Sequence, residues 1–327
     1  EAGVELKVTP YLRGKNGEQK FYIDNVGRIS EIISSTDSVA GDDLYLSIDA
    51  DLQKATYLAL QNEIAAIVYS NIKSGEIPIN DVYTALIGNS VINTEHFSKS
   101  KASDTEKSVL SVFKSRQKTT LGKIKQELTS SPEALNTMSD EVLDEFTYII
   151  SMLKDDQVLL KNEIDTSDSV YQKWKDQKIS PKEYLNYCIT QHWIDISQLN
   201  VDEKYADSTE VYDALCKYIL KNIKTDTEFS KIIYQYMITR GEISPRQLCL
   251  ILFDQGVLDY DDATVNKLKN GSLSPRDFLM KKIYNIEITP AQLALEPCIG
   301  SCVVTDEKTG EIRAMVSYPG YDSNKLA

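Results

Sequence analysis

Apolar residues recur three and four positions apart through most of this chain, the spacing that gathers side chains on one face of an α-helix. Leu110, Phe113, Leu121, Ile124 and Leu128 form one such stripe, and Val142, Phe146, Ile149, Ile150 and Leu153 a second. Tyr212, Leu215, Cys216, Ile219 and Ile223 give a third; Phe229, Ile232, Ile233 and Tyr236 give a fourth. Nearer the start, Tyr57, Leu60, Ile64, Ile67 and Val68 share the period. Each stripe needs a neighbouring helix to bury it, so all are read as core.

Helix starts are marked by a hydroxyl followed by proline, at Ser131-Pro132, Ser180-Pro181, Ser244-Pro245, Ser274-Pro275 and Thr289-Pro290. The hydroxyl caps the first turn and proline, lacking an N–H, fits the first helical position. Glu183, Gln247 and Gln292 stand where a capping box places its reciprocal acceptor. The unequal spacing of the five sites points to capping chemistry rather than to a solenoid repeat.

The period then changes abruptly. Ile312, Ala314 and Val316 alternate with Arg313, Met315 and Ser317, and Cys302-Val303-Val304 lead into Asp306-Glu307-Lys308-Thr309-Gly310. This predicts two strands around a tight turn, with Gly310 left-handed and Asp306 bonding the backbone that follows it. Residues 11–29 predict a second pair of short strands, with an alternating run at Phe21 to Ile23 and a turn at Asn25 to Gly27. Asp49 is placed to cap the helix that carries Tyr57. The fold class expected is mainly α with a small β part, an α+β chain.

A length of 327 residues with 42% hydrophobic content gives room for two or three domains with sizeable cores. The net charge of −13 argues against a nucleic-acid partner, because phosphate binding rests on Lys and Arg. The longest apolar runs, Ile64 to Val68 and Leu248 to Phe253, fall far short of the roughly 20 residues of a membrane span. The chain opens at Glu1 without methionine or a basic-then-apolar leader, so whatever preceded it is expected to have been removed.

Cofactor and metal chemistry find no foothold. There is no glycine-rich phosphate loop, H-E-x-x-H or C-x-x-C pair. Cysteines 188, 216, 249, 298 and 302 read as reduced core residues. Cys188 and His192, four apart on one helix face, offer two ligands but no second pair, and buried packing is the better reading. Asp202-Glu203 and Asp259 to Asp262 lack a calcium-loop spacing and read as solvated. Trp174 and Trp193 offer a sugar platform or core packing, and the helical context favours the core.

The run Gly300-Ser301-Cys302 through Asp306-Glu307-Lys308-Thr309-Gly310 to Ala314-Met315-Val316-Ser317-Tyr318-Pro319-Gly320-Tyr321-Asp322-Ser323-Asn324 resembles the opening of the transpeptidase domain of class B penicillin-binding proteins. There a strand, a D-x-x-T-G turn and an A-M-x-S-x-P-x-Y-D-x-N exit follow one another. Leu12-Arg13-Gly14-Lys15-Asn16-Gly17 and Asp24-Asn25-Val26-Gly27-Arg28 resemble the L-x-G-x-x-G and D-x-x-G-R signature of the family's non-catalytic N-terminal region. Gly41 to Gln53 resembles its G-x-x-L-x-L-T-I-D-x-x-L-Q strand and helix start, with Ser47 in place of threonine. Thr289 to Cys298, T-P-A-Q-L-A-L-E-P-C, resembles the segment that follows a long helical insert in clostridia-like members.

The resemblance implies three parts: 1–69, N-terminal strands and a linking helix; 70–288, an all-helical insertion; and 289–327, the first hairpin of the transpeptidase domain. It implies a parent that lies outside the cytoplasmic membrane, binds peptidoglycan stem peptides and β-lactams, and cross-links those peptides through a serine acyl-enzyme. The family's nucleophile lies in an S-x-x-K string downstream of the hairpin. Ser98-Lys101, Ser111-Lys114 and Ser115-Lys118 all precede it, no S-x-N follows, and Lys308-Thr309-Gly310 belongs to the hairpin turn rather than to the catalytic K-T-G. No catalytic, cofactor or metal residue is therefore assigned, and the chain is expected to stop before the active site. The alternative is a helical module that docks other wall-synthesis or division proteins.

Overall fold

Ser103 and Glu106 show how this chain builds its helices. In the computed structural model, which describes residues 3–130, 133–199, 201 and 207–320, the Ser103 hydroxyl accepts from the Glu106 N–H while the Glu106 carboxylate accepts from the Ser103 N–H. That reciprocal pair satisfies amide donors that a helix start leaves without partners. In chain order the elements are α1 (Gly3–Leu12), β1 (Glu18–Ile23), β2 (Ile29–Thr36), α2 (Ala50–Ser74), α3 (Ile79–Gly88), α4 (Asp104–Thr129), α5 (Asp140–Asp155) and α6 (Ser169–Lys175). They continue with α7 (Pro181–Thr190), α8 (Ser208–Ile223), α9 (Thr227–Thr239), α10 (Pro245–Asp254), α11 (Asp262–Asn270), α12 (Pro275–Tyr284), α13 (Pro290–Leu293), β3 (Gly300–Thr305) and β4 (Ile312–Tyr318). The chain is α-rich α+β, as expected, with two separate two-stranded antiparallel sheets among the described residues.

The chain divides into two compact units, Glu1–Tyr57 with Ser301–Val316, and Leu58–Gly300 with Ser317–Ala327. In the second unit α9 packs against α3, α4 and α5, and its Phe229, Ile233, Tyr234, Met237 and Ile238 are buried. Tyr234 stacks on Phe113 of α4 at 4.2 Å and meets the edge of Phe97 at 5.9 Å. The four stripes face this core, with Leu110, Leu121, Val142 and Ile232 at its half-buried margin, except that Tyr236 is half-buried outside it and donates its hydroxyl to Asp144. On α2 the stripe shifts. Ile64, Ala65, Val68 and Ile72 are buried, whereas Ile67, one position off that face, is exposed.

Ser180, Ser244, Ser274 and Thr289 cap α7, α10, α12 and α13 with proline in the first turn. Ser131-Pro132 lies outside the described residues. Gln247 and Gln292 complete reciprocal capping boxes, but Glu183 only donates its N–H to Ser180 and its side chain does not reach back. Before each cap sits a left-handed residue, Gln177, Gly241, Gly271 or Ile286, followed two residues later by an apolar one. The N–H groups of Ile243, Leu273 and Ile288 return to Met237, Lys267 and Lys282 carbonyls, closing the preceding helix before the next begins.

In the first unit, β1 pairs with β2 across a turn in which Asp24 accepts from the N–H groups of Val26 and Arg28 and Gly27 is left-handed. The glycines of the Leu12–Gly17 signature have a steric reason. Gly14 has φ +62°, and a Cβ there would lie 2.2 Å from the Val39 carbonyl oxygen. Lys15 and Val39 exchange backbone hydrogen bonds at 2.9 Å in both directions. Both faces of the β1–β2 pair are exposed, including Phe21, Tyr22, Ile23, Ile29, Ile32 and Ile33.

Candidate functional site

Asp49 is the residue on which the two distant parts of the first unit converge. Its carboxylate accepts from the N–H groups of Asp51 and Leu52 at 3.0 Å, capping α2, while its own N–H donates to the Arg313 carbonyl at 2.9 Å. The Ser47 hydroxyl donates to the Ile312 carbonyl at 2.8 Å, and the Gln53 side-chain oxygen accepts from the Met315 N–H at 2.7 Å. Three polar groups within seven residues thus engage the backbone of Ile312, Arg313 and Met315 on β4. Replacing Asp49 by alanine is expected to cost about 1 kcal/mol through the lost cap, read as a lower denaturant midpoint at unchanged slope.

One expectation is corrected here. The segment from Leu44 to Ile48 forms no ladder, and Leu44, Tyr45 and Leu46 are exposed. Its alternating apolar pattern suits a strand, but only one backbone bond, from Asp49, reaches β4. The hairpin strands β3 and β4 form a sheet of their own, separate from that of β1 and β2. The hairpin itself forms around the expected turn. Asp306 accepts from the Lys308 and Thr309 N–H groups at 2.8 and 3.0 Å, Gly310 has φ +76°, and these backbone bonds hold the Asp306 carboxyl below its usual range. Tyr321, Asp322 and Asn324 of the family-like exit lie outside the described residues.

The S-x-x-K strings fall on open surface. Ser98 ends a short 3₁₀ turn and its hydroxyl donates to the Glu95 carbonyl at 2.9 Å; Ser111 and Ser115 lie on α4. All three serines and Lys101, Lys114 and Lys118 are exposed. Lys308-Thr309-Gly310 occupies the hairpin turn.

Cys188 and His192 do not share a helix face, because α7 ends at Thr190 and His192 follows in the left-handed region, exposed. Burial pushes the Cys188 and Cys249 thiols up to about 12 and Cys216 to about 11, which keeps them protonated and inert. Cys298 and Cys302 are half-buried rather than core, and all five are free. Among the described residues no group of three potential ligands gathers. Asp261 caps α11, and Asp202 and Glu203 lie outside the described residues. Trp174 stacks on Tyr184 at 4.5 Å and Trp193 is buried against Tyr187, so both pack rather than present a platform. No described helix is long and apolar enough to cross a membrane.

Two buried charge clusters had no sequence signal. Glu106 accepts from His96 Nδ1 at 2.7 Å and from the Gln255 amide at 2.8 Å. Burial raises its carboxyl, but the bonds from Gln255, the Ser103 N–H and His96 outweigh that and hold it below the usual range. Glu141 is gripped by Arg116, at 3.1 Å to each oxygen, and by Arg240. Glu145, one turn on, is buried with one oxygen unpartnered, and burial first and the Glu141 charge second push it up to about 8.

No family model matches the chain, and no solved structure matches it at a significant level. Among curated proteins, the peptidoglycan D,D-transpeptidases FtsI of Escherichia coli K12 and of Escherichia coli O157:H7 are each 35% identical to it over 108 residues. That stretch is 33% of this chain, which spans 18% of the length of these curated relatives. A third of the chain is therefore similar to part of the peptidoglycan D,D-transpeptidases FtsI.

Proposed function

We propose that this chain is a non-catalytic region of a class B penicillin-binding protein. Its parent cross-links peptidoglycan stem peptides by a serine acyl-enzyme mechanism on the outer side of the cytoplasmic membrane, and is a target of β-lactams. The observation that carries the reading is the set of bonds from Ser47, Asp49 and Gln53 to Ile312, Arg313 and Met315, which joins two family-like segments more than 260 residues apart in sequence. The 35% identity to FtsI over 108 residues supports it as well. Acylation needs a serine beside its lysine and donors aimed at the oxyanion, and the exposed Ser98, Ser111 and Ser115 have no such setting. The apolar faces of β1 and β2 fit a region that further protein covers. The parent polypeptide should take a stoichiometric label from fluorescent penicillin; a parent that takes none would sink the transpeptidase reading.

Residues 70–288 are read as a helical insertion in this host, of the clostridia-like type, and as a docking body for wall-synthesis or division proteins. Long insertions are tolerated when their ends lie close, because loop-closure entropy grows slowly with length. Expressed alone, Leu58–Gly300 should melt in a single cooperative transition by circular dichroism, since its core is built from its own residues. A gradual, non-cooperative loss of signal would contradict an autonomous helical body.

A further inference from the structure

Between α2 and α12 lies a cleft of about 480 Å³, lined by Tyr69, Lys73, Arg276, Asp277, Met280, Lys281 and Tyr284. Its size is that of a ligand site rather than of a packing defect. Tyr69 and Tyr284 meet edge to face at 5.2 Å, and with the buried Met280 they give the cleft an apolar wall. Tyr284 is 59% exposed, a large apolar ring left in water beside three cations.

Those cations are out of place in a chain of net charge −13. None of Lys73, Arg276 and Lys281 makes an ion pair among the described residues. Arg276 donates one weak bond, 3.3 Å, to the Ile72 carbonyl, which leaves most of its donors free. Asp277, the acid of the lining, accepts from the Ser274 hydroxyl at 2.7 Å at the start of α12, so three cations share the cleft with one carboxylate. The neighbouring Lys282 has the opposite situation: it pairs with Glu287 and lies over the Phe278 ring. Lys73 and Lys281 complement the C-terminal ends of α2 and α12, but with Arg276 they leave the cleft an excess of positive charge that an anionic ligand would offset.

We propose that this cleft docks an acidic peptide segment of a partner protein, with an aliphatic side chain seated against Tyr69 and Tyr284 and carboxylates on Lys73, Arg276 and Lys281. The apolar wall favours a peptide over an anionic polymer, which would have nothing to place against the two rings. The assignment does not rest on the transpeptidase reading.

The test uses the whole chain and a fluorescein-labelled pentapeptide of alternating glutamate and leucine, followed by anisotropy at low salt. A lysine–leucine peptide of the same length and inorganic polyphosphate serve as comparisons. The glutamate peptide should bind at least tenfold more tightly than the lysine peptide. Lys73→Glu and Lys281→Glu, at exposed positions without ion pairs, should each weaken it on the order of tenfold. Tyr284→Ala should weaken it severalfold and leave the circular dichroism spectrum unchanged. Equal binding of the two peptides, or undiminished affinity in the Lys73→Glu/Lys281→Glu double variant, would overturn the proposal. Polyphosphate that binds more tightly than the peptide and is indifferent to Tyr284→Ala would overturn the peptide assignment in favour of a polymer.

Discussion

Replacing Glu145 by glutamine is expected to stabilise the helical unit by a few kcal/mol at pH 9 and to change it little at pH 5. Glu145 is buried on α5 with Glu141 and Asp144 on its own helix and Lys123 and Arg116 facing it from α4. Burial is the main cause of its raised affinity for a proton and the Glu141 charge the second; together they move it from 4.5 to about 8. Because its folded-state value lies above the unfolded one, the folded chain holds the extra proton between them. The stability this carboxyl contributes is therefore fully present below pH 4.5, declines as pH rises, and is gone above about 8. Glutamine cannot ionise, so the variant should lose that decline. Denaturant midpoints at pH 5, 7 and 9 check it; parallel pH profiles for the two proteins would show that Glu145 is already ionised in the folded state.

The second large effect is expected at Gly41. A Cβ there would lie 1.8 Å from the Leu12 carbonyl oxygen and 2.3 Å from its carbon, both backbone atoms that cannot step aside. Gly41→Ala must push apart the strands of chain that Lys15 and Val39 bridge and that the Asp42 N–H ties to Tyr11. Such a backbone clash costs about 3 kcal/mol or more. The damage should stay in the first unit. By hydrogen exchange the amides of Lys15, Val39 and Asp42 should lose protection while those of α9 keep theirs. Retained protection at all three would mean that the close approach is not required.

What the sequence made legible was what a local pattern can carry. The stripes on α4, α5, α8 and α9 are long enough for the 3.6-residue period to be unambiguous, and the Asp306–Gly310 turn carries its own chemistry. Failures came where the deciding partner is distant. Leu44 to Ile48 alternates like a strand, but a ladder needs a neighbour, and β4 offers it only the bonds to Ser47 and Asp49. Helix α1 was missed because Pro10 lies within it and no cap marks it. Ile67 was placed one position off the true face because two adjacent apolar residues fit the period almost equally well. The Glu141 cluster joins Arg116 and Arg240, 25 and 99 residues away, so only the folded chain brings it together. The cleft beside Tyr69 and Tyr284 was invisible for the same reason.

The most direct measurement of the central claim is covalent labelling of this chain and of its parent by a fluorescent penicillin, followed by peptide mass mapping. The account predicts no adduct on the chain itself and a single labelled serine in the parent at a position outside this sequence. A stoichiometric adduct on the chain, mapped to Ser98, Ser111 or Ser115, would contradict it.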